Sequence, residues 1–164
     1  MVFDLDYGPF LLSFKLASSV TIVLFFIALP LSWWLSQSKC KCKAIIEAIV
    51  ALPIVLPPSV IGFYILYTLS SQSFIGAFFQ DTFGIELVFS FSGLLVASCF
   101  YSFPFMVQPL QAGFESLNNN MLEASYVAGR NQLKTLFFVA LPNIKPALLT
   151  ASIITFAHTV GEFG

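Results

Sequence analysis

Apolar residues in this chain fall in long runs separated by short polar stretches. The first run, 10–35, is apolar apart from Lys15 and a few Ser and Thr. At 1.5 Å per residue it is long enough to cross a hydrocarbon core of about 30 Å with some tilt. The second, 44–69, carries one charge, Glu47, and the third, 87–112, carries none. A fourth, 146–164, is still apolar at Val160 although it holds His158 and Glu162. Read by length, these are four membrane spans in a single transmembrane domain, 1–164, and the predicted fold is an all-α, polytopic helix bundle. A cleaved signal peptide fits the first run poorly, because Asp4 and Asp6 precede it instead of positive charge and no small-x-small cleavage site follows.

Composition strengthens this picture. Of the 164 residues, 58% are hydrophobic and 9% charged, 20 are Phe, and the mean hydropathy is +0.90, against roughly 25% charged residues in soluble domains. Seven Lys and Arg with eight Asp and Glu cannot cover a soluble globule, so the excess apolar residues must face lipid. A net charge of −1 leaves no basic footprint for nucleic acid. Three cysteines, Cys40, Cys42 and Cys99, do not make a disulfide framework. Cys40-Lys41-Cys42 has no third and fourth ligand nearby to complete a metal site, and Cys99 reads as a small apolar side chain.

The cations orient the spans. Six of the seven lie in two connections: Lys39, Lys41 and Lys43 after the first span, and Arg130, Lys134 and Lys145 before the fourth. Both connections are expected in the cytoplasm, with the N-terminus and the loop 70–86 outside. Lys15, early in the first span, is expected to snorkel toward the outer headgroups.

The cytoplasmic stretch 115–142 is long for a simple connection. Asn118 to Asn120 are N-cap candidates for a short helix, and Gly129 fits its C′ position. A second helix is expected from Asn131 or Gln132 to Leu141, where Pro142 follows. On the first helix Met121, Ala124, Ser125 and Ala128 share a face of mostly small residues that permits close docking.

Glu123-Ala124-Ser125, Gly129 four residues on, and Val139-Ala140-Leu141-Pro142 resemble the EAA signature of permease subunits of binding-protein-dependent ABC importers. Ser125 and Val139 depart mildly from the usual Ala and Ile. The resemblance implies that the segment is a coupling helix seated in a cleft of a separate ATPase, with Glu123, Ala124, Ser125, Gly129, Val139, Leu141 and Pro142 as coupling residues. It also implies that ATP hydrolysis belongs to that ATPase.

The resemblance extends to the rest of the chain. Leu52-Pro53-Ile54-Val55-Leu56-Pro57-Pro58 with Gly62, Phe74-Ile75-Gly76, Phe83-Gly84-Ile85, Ser102-Phe103-Pro104 and Gly161-Glu162-Phe163-Gly164 are similar to the oxyanion group, and within it to molybdate permeases. Gly-Glu-Phe-Gly is shared with sulfate permeases. Pro and Gly inside spans free backbone groups, which is tolerable where they line a cavity or face protein. That makes Pro57, Pro58, Gly62, Ser102, Pro104, His158, Gly161 and Glu162 pathway or gate candidates. His158 and Glu162, at i and i+4, are expected to pair, and His158 stands where the resembling family usually has Arg.

The implied protein is a multi-pass component of the bacterial inner membrane, a homodimer with a molybdate pathway between its subunits. Its implied partners are a cytoplasmic ABC ATPase, an extracytoplasmic molybdate-binding protein and membrane lipid, and no cofactor is implied. The resembling permeases continue past Gly-Glu-Phe-Gly with further membrane helices, so the last helices are expected to be missing here, and the chain is expected to dock an ATPase but transport poorly alone. The alternatives are a sulfate or other oxyanion permease and a non-transporting remnant that keeps the docking segment. A membrane-embedded enzyme is disfavoured: there is one His and no ligand-spaced cluster, no Gly-x-Ser-x-Gly and no phosphate loop.

Overall fold

The computed structural model describes residues 7–84 and 86–163, together with the side chains there except those of Pro58, Phe83 and Phe163. Asp4, Asp6, Ile85 and Gly164, on which some expectations rest, lie outside the described residues. All regular structure among the described residues is helical.

The first run forms α1, Gly8–Gln37, and the third forms α5, Phe91–Glu115. At 30 and 25 residues they are about 45 and 37 Å long, and each is long and apolar enough to cross a membrane by itself. The other two runs reach that length only as bent pairs.

The second run splits into α2, Cys42–Val55, and α3, Pro58–Leu69, whose axes turn by 108°. The cause is the double proline. A residue before proline is pushed out of the helical region, and here two in succession are, Leu56 at ψ 140° and Pro57 at ψ 139°. The loop expected at 70–86 holds another helix, α4, Phe74–Phe83, capped by Ser73, whose Oγ accepts from the Gly76 N–H, and by Gly84 at φ +65°. A Ser and a Gly flanking ten residues carry that signal.

Packing centres on α1, α5 and α9, Lys145–Phe163. Leu16, Val20, Leu24, Met106, Leu110 and Ala151 form one buried cluster among them. Within it Ser32 Oγ donates to the Val107 carbonyl at 3.1 Å, tying α1 to α5. Close approach of α5 to α9 depends on Gly113, where a Cβ would stand 2.5 Å from that of Ala147. Small residues at such crossings are how membrane helices gain contact without a hydrophobic drive. Lys15 places its ammonium over the Phe91 ring, 5.2 Å from the centroid, at the start of α5, a cation–π seat for a charge otherwise costly at this position.

Candidate functional site

The segment expected in the cytoplasm is a helical hairpin. Its first arm, α6, is Asn119–Val127, and Asn118 Oδ1 accepts from the Asn120 N–H at 2.9 Å. At its end Gly129 N–H donates to Tyr126 O at 2.9 Å and Arg130 N–H to Ser125 O at 3.2 Å. These are the two bonds of a Schellman turn, with Gly129 at φ +80° in the left-handed position. Asn131 then caps the second arm by accepting from the Lys134 N–H at 2.9 Å.

The second arm does not stop at Leu141 as expected. It comprises α7, Gln132–Thr135, a π-helical turn Leu136–Ala140, and α8, Leu141–Asn143. Leu141 stays helical at φ −58°, ψ −43°, although Pro142 follows. Pro142 lacks an N–H, and the ladder adjusts by widening: Leu141 N–H reaches back to Leu136 O, and Asn143 Nδ2 donates to Val139 O at 2.7 Å. The true corner is Ile144, where the arm turns by 79° into α9.

The residues expected to couple to an ATPase divide. Glu123, Ala124 and Pro142 are exposed, while Val139 and Leu141 are half-buried. Ser125 does not lie on an open docking face: it is 7% exposed, and its hydroxyl meets Thr135 Oγ1 at 2.9 Å across the hairpin. A small alcohol here bonds the two arms together, which explains its departure from Ala. The face left open holds Glu123, Ala124 and Val127, the last 89% exposed. Sequence reasoning missed Val127 and Thr135; no periodicity marks a hydroxyl pair ten residues apart across a turn.

Below the hairpin a second buried cluster joins it to the membrane helices: Leu122 and Leu136 from the two arms, Ile144 at the corner, and Leu29, Trp33 and Phe114 from α1 and α5. Trp33 and Phe114 meet edge to face at 5.1 Å. Nearby, Lys43 Nζ donates to Glu115 Oε1 at 2.8 Å and lies 3.7 Å from Glu47 Oε1. Gln111 Nε2 also donates to Glu115, at 2.9 Å. The Gln111 hydrogen bond first, and the Lys43 ammonium next, hold the Glu115 carboxyl below the usual range; the same contact raises Lys43. These groups are partly exposed and screened by solvent, so the pin between α2 and α5 sets register more than stability. Cys42 N–H donates to Cys40 Sγ at 3.4 Å, which lowers the exposed Cys40 thiol's pKa. Among the described residues no three or more His, Cys, Asp or Glu gather where they would hold a metal.

The pathway candidates converge in part. Gly62 on α3 and His158 and Glu162 on α9 line one cavity of about 460 Å³, together with Ser98 and Tyr101 of α5. His158 and Glu162 do not pair as expected: among the described residues no ion pair joins them. His158 Nδ1 instead lies 3.1 Å from Ser102 Oγ, itself 3.0 Å from Thr159 Oγ1, and the imidazole stacks on Phe105 at 4.1 Å. Ser102, across the helix interface, offers a hydroxyl without stretching the ring out of its aromatic stack. Pro57 sits at the α2–α3 break, and Pro58 opens α3. Pro104 is buried in α5, and Gly161 is exposed with open space where a Cβ would be. Ser98 and Tyr101 were missed, although Leu94, Ala97, Ser98 and Tyr101 share one face at i, i+3, i+4 and i+7.

A largely apolar helical bundle thus carries a mostly apolar cavity between its helices, with His158 and Glu162 in its lining, and a capped hairpin. Residues 22–164 match the family described as the binding-protein-dependent transport system inner membrane component, and the chain belongs to that family. It is a transport subunit, not an enzyme, and its family works with a separate ATPase and a binding protein. It is 44% identical over 97% of its length to the molybdenum transport system permease protein ModB of Azotobacter vinelandii, covering 70% of that protein. It is 30% identical to ModB of Escherichia coli K12 over 98% of its length and 70% of the relative's. A probable sulfate transport system permease protein, cysT, of Chlorella vulgaris is 32% identical over 96% of the chain and 59% of the relative.

Proposed function

We propose that the chain forms, as a homodimer embedded in lipid, the membrane pathway of a molybdate importer. Its N-terminus is outside, an extracytoplasmic protein delivers molybdate, and an ATPase seats on the α6 face at Glu123, Ala124 and Val127. The observation that carries this reading is the 44% identity to a molybdenum permease over nearly the whole chain. The hairpin supports the ATPase seat, since its Schellman turn and Ser125–Thr135 bond make it a rigid body whose small side chains admit close contact. The cavity supports the pathway. Its lining is mostly apolar, with His158 and Glu162 but no Lys or Arg, and a conduit must hold its anion weakly enough to release it. The 32% identity to a sulfate permease favours sulfate as the second reading.

Molybdate uptake by permease-deficient cells that express this chain with its ATPase and binding protein tests the proposal. Uptake, with sulfate a weak competitor, is the outcome that upholds the reading. Gly62→Leu, at a position with open space around it, should fold normally and reduce uptake severalfold by filling the cavity. Sulfate competing as well as molybdate would favour the second reading, and no uptake would leave a chain that only docks its ATPase.

The orientation has its own measurement. In a background cleared of native cysteines, Lys41→Cys and Gln72→Cys, both at exposed positions, should label from opposite sides, Gln72→Cys from outside. Labelling of both from one side would overturn the topology.

A further inference from the structure

The two arms of the hairpin differ in what they show to their surroundings. The first, α6, has one charged residue, Glu123, and leaves open a face of Glu123, Ala124 and Val127. The stretch from Gly129 to Lys145 has three cations, Arg130, Lys134 and Lys145, all exposed, and no Asp or Glu. On this second arm Leu133, Phe137 and Phe138 are 65%, 58% and 70% exposed. Leu136 and Ala140 turn inward, into the cluster with Trp33 and Phe114. The arm is thus fastened to the bundle by one face and leaves bulky apolar side chains uncovered beside it. The Arg130 guanidinium lies 5.8 Å from the centroid of the Phe138 ring, which joins charge and apolar surface in one patch.

The place of this arm in the fold is the level of lipid headgroups. Helix α9 runs antiparallel to α5, with Ala147 beside Gly113 and His158 beside Ser102, and α5 is long and apolar enough to cross a membrane. The arm is bent 79° from α9, so it lies across the ends of these helices, close to the plane of a bilayer surface. Gln132, at its start, shares a cavity of about 420 Å³ with Trp33 and Trp34 near the end of α1. Trp collects where a spanning helix leaves the hydrocarbon. A helix in that plane with bulky apolar residues and a surplus of cations has the composition that beds into the surface of an anionic bilayer.

We infer that the second arm is a seat for anionic phospholipid, with Leu133, Phe137 and Phe138 in the boundary between headgroups and acyl chains and Arg130 and Lys134 on the headgroup phosphates. This rests on the reading of the chain as a membrane permease whose α6 face receives an ATPase, and it divides the hairpin between two partners. Lipid fits the second arm better than the ATPase does. Bulky aromatic side chains oppose the close approach that Ala124 allows on α6, and lipid fills the plane in which the arm lies.

The test places an environment-sensitive fluorophore on Leu133→Cys, in a background cleared of native cysteines, with the permease in vesicles of equal parts phosphatidylcholine and phosphatidylglycerol, alone and with its ATPase. Val127→Cys is the reference on α6. A nitroxide on the lipid acyl chain should quench the Leu133 probe, and water-soluble acrylamide should not, whether or not the ATPase is bound. The Val127 probe should respond to acrylamide and lose that response when the ATPase binds. Nitroxide carried on phosphatidylglycerol should quench the Leu133 probe more than the same amount carried on phosphatidylcholine. That preference should fall by up to about fivefold for each cation removed in Arg130→Gln and Lys134→Gln, with ATPase recovery unchanged because the hairpin stays folded. A Leu133 probe open to acrylamide, one shielded only by the ATPase, or one quenched equally by the two lipids would overturn the inference. Quenching with the phosphatidylglycerol preference, in a chain that takes up no molybdate, would uphold it and overturn the transport reading.

Discussion

Gly129→Val should abolish association with the ATPase while leaving the membrane helices inserted. Gly129 is at φ +80°, where a side chain costs about 1–2 kcal/mol and a β-branched one more. The loss is not confined to one residue. The turn's two hydrogen bonds, from Gly129 to Tyr126 and from Arg130 to Ser125, fix where the second arm begins. If the turn opens, the buried bond between Ser125 and Thr135 is broken too, and a buried hydroxyl left unpaired adds about 1–3 kcal/mol. Gly129→Asn is the control, since Asn tolerates the left-handed region. Co-purification of the ATPase should survive in Gly129→Asn and fail in Gly129→Val. Equal recovery with both would refute the assignment of this hairpin as the seat.

Phe114→Ala should do the opposite, keeping the ATPase bound while disconnecting it. Phe114 is 1% exposed, meets Trp33 edge to face at 5.1 Å, and joins α5 to Leu122 and Leu136 of the two hairpin arms. Removing a buried ring of this size costs about 3–5 kcal/mol in well-packed cores. Here the cavity would open at the joint between the hairpin and the spans, while the exposed face of α6 would be untouched. The expected result is a lowered Tm, normal ATPase recovery, and ATP hydrolysis that no longer responds to the loaded binding protein. Retained stimulation despite the lowered Tm would show that the coupling runs elsewhere.

How much of this was legible in the sequence depended on whether the controlling force was local. The spans could be read because burial in lipid selects unbroken apolar runs, and the Schellman turn because only a left-handed position asks for Gly129. The double proline announced trouble, but a kink and a 108° corner have the same sequence; it took Leu56 and Pro57 both in extended geometry to make the corner. The stop expected before Pro142 was wrong because a π turn lets the ladder widen around a missing N–H, an option that propensity does not weigh. At the site, spacing put His158 and Glu162 on one face correctly, yet it could not show that Ser102 on another helix would take the imidazole. That the Ser98 hydroxyl is buried without a hydrogen-bond partner is invisible without tertiary structure, because nothing in its neighbours along the chain distinguishes it from a bonded serine.

The 79° corner at Ile144 makes the second hairpin arm and α9 the two limbs of a bell-crank. A displacement of the arm along its own axis is not transmitted along α9 as a piston stroke. It becomes a swing of α9 about its N-terminal end. His158 lies fourteen residues beyond that pivot by sequence, about 21 Å along a helix, so a tilt of only about 5° carries its ring roughly 2 Å sideways. That is comparable to the radius of an atom and enough to part the imidazole from Ser102. A small displacement of the arm is thus geared up, with no change in the length of any helix, into a larger movement of the residues around the cavity.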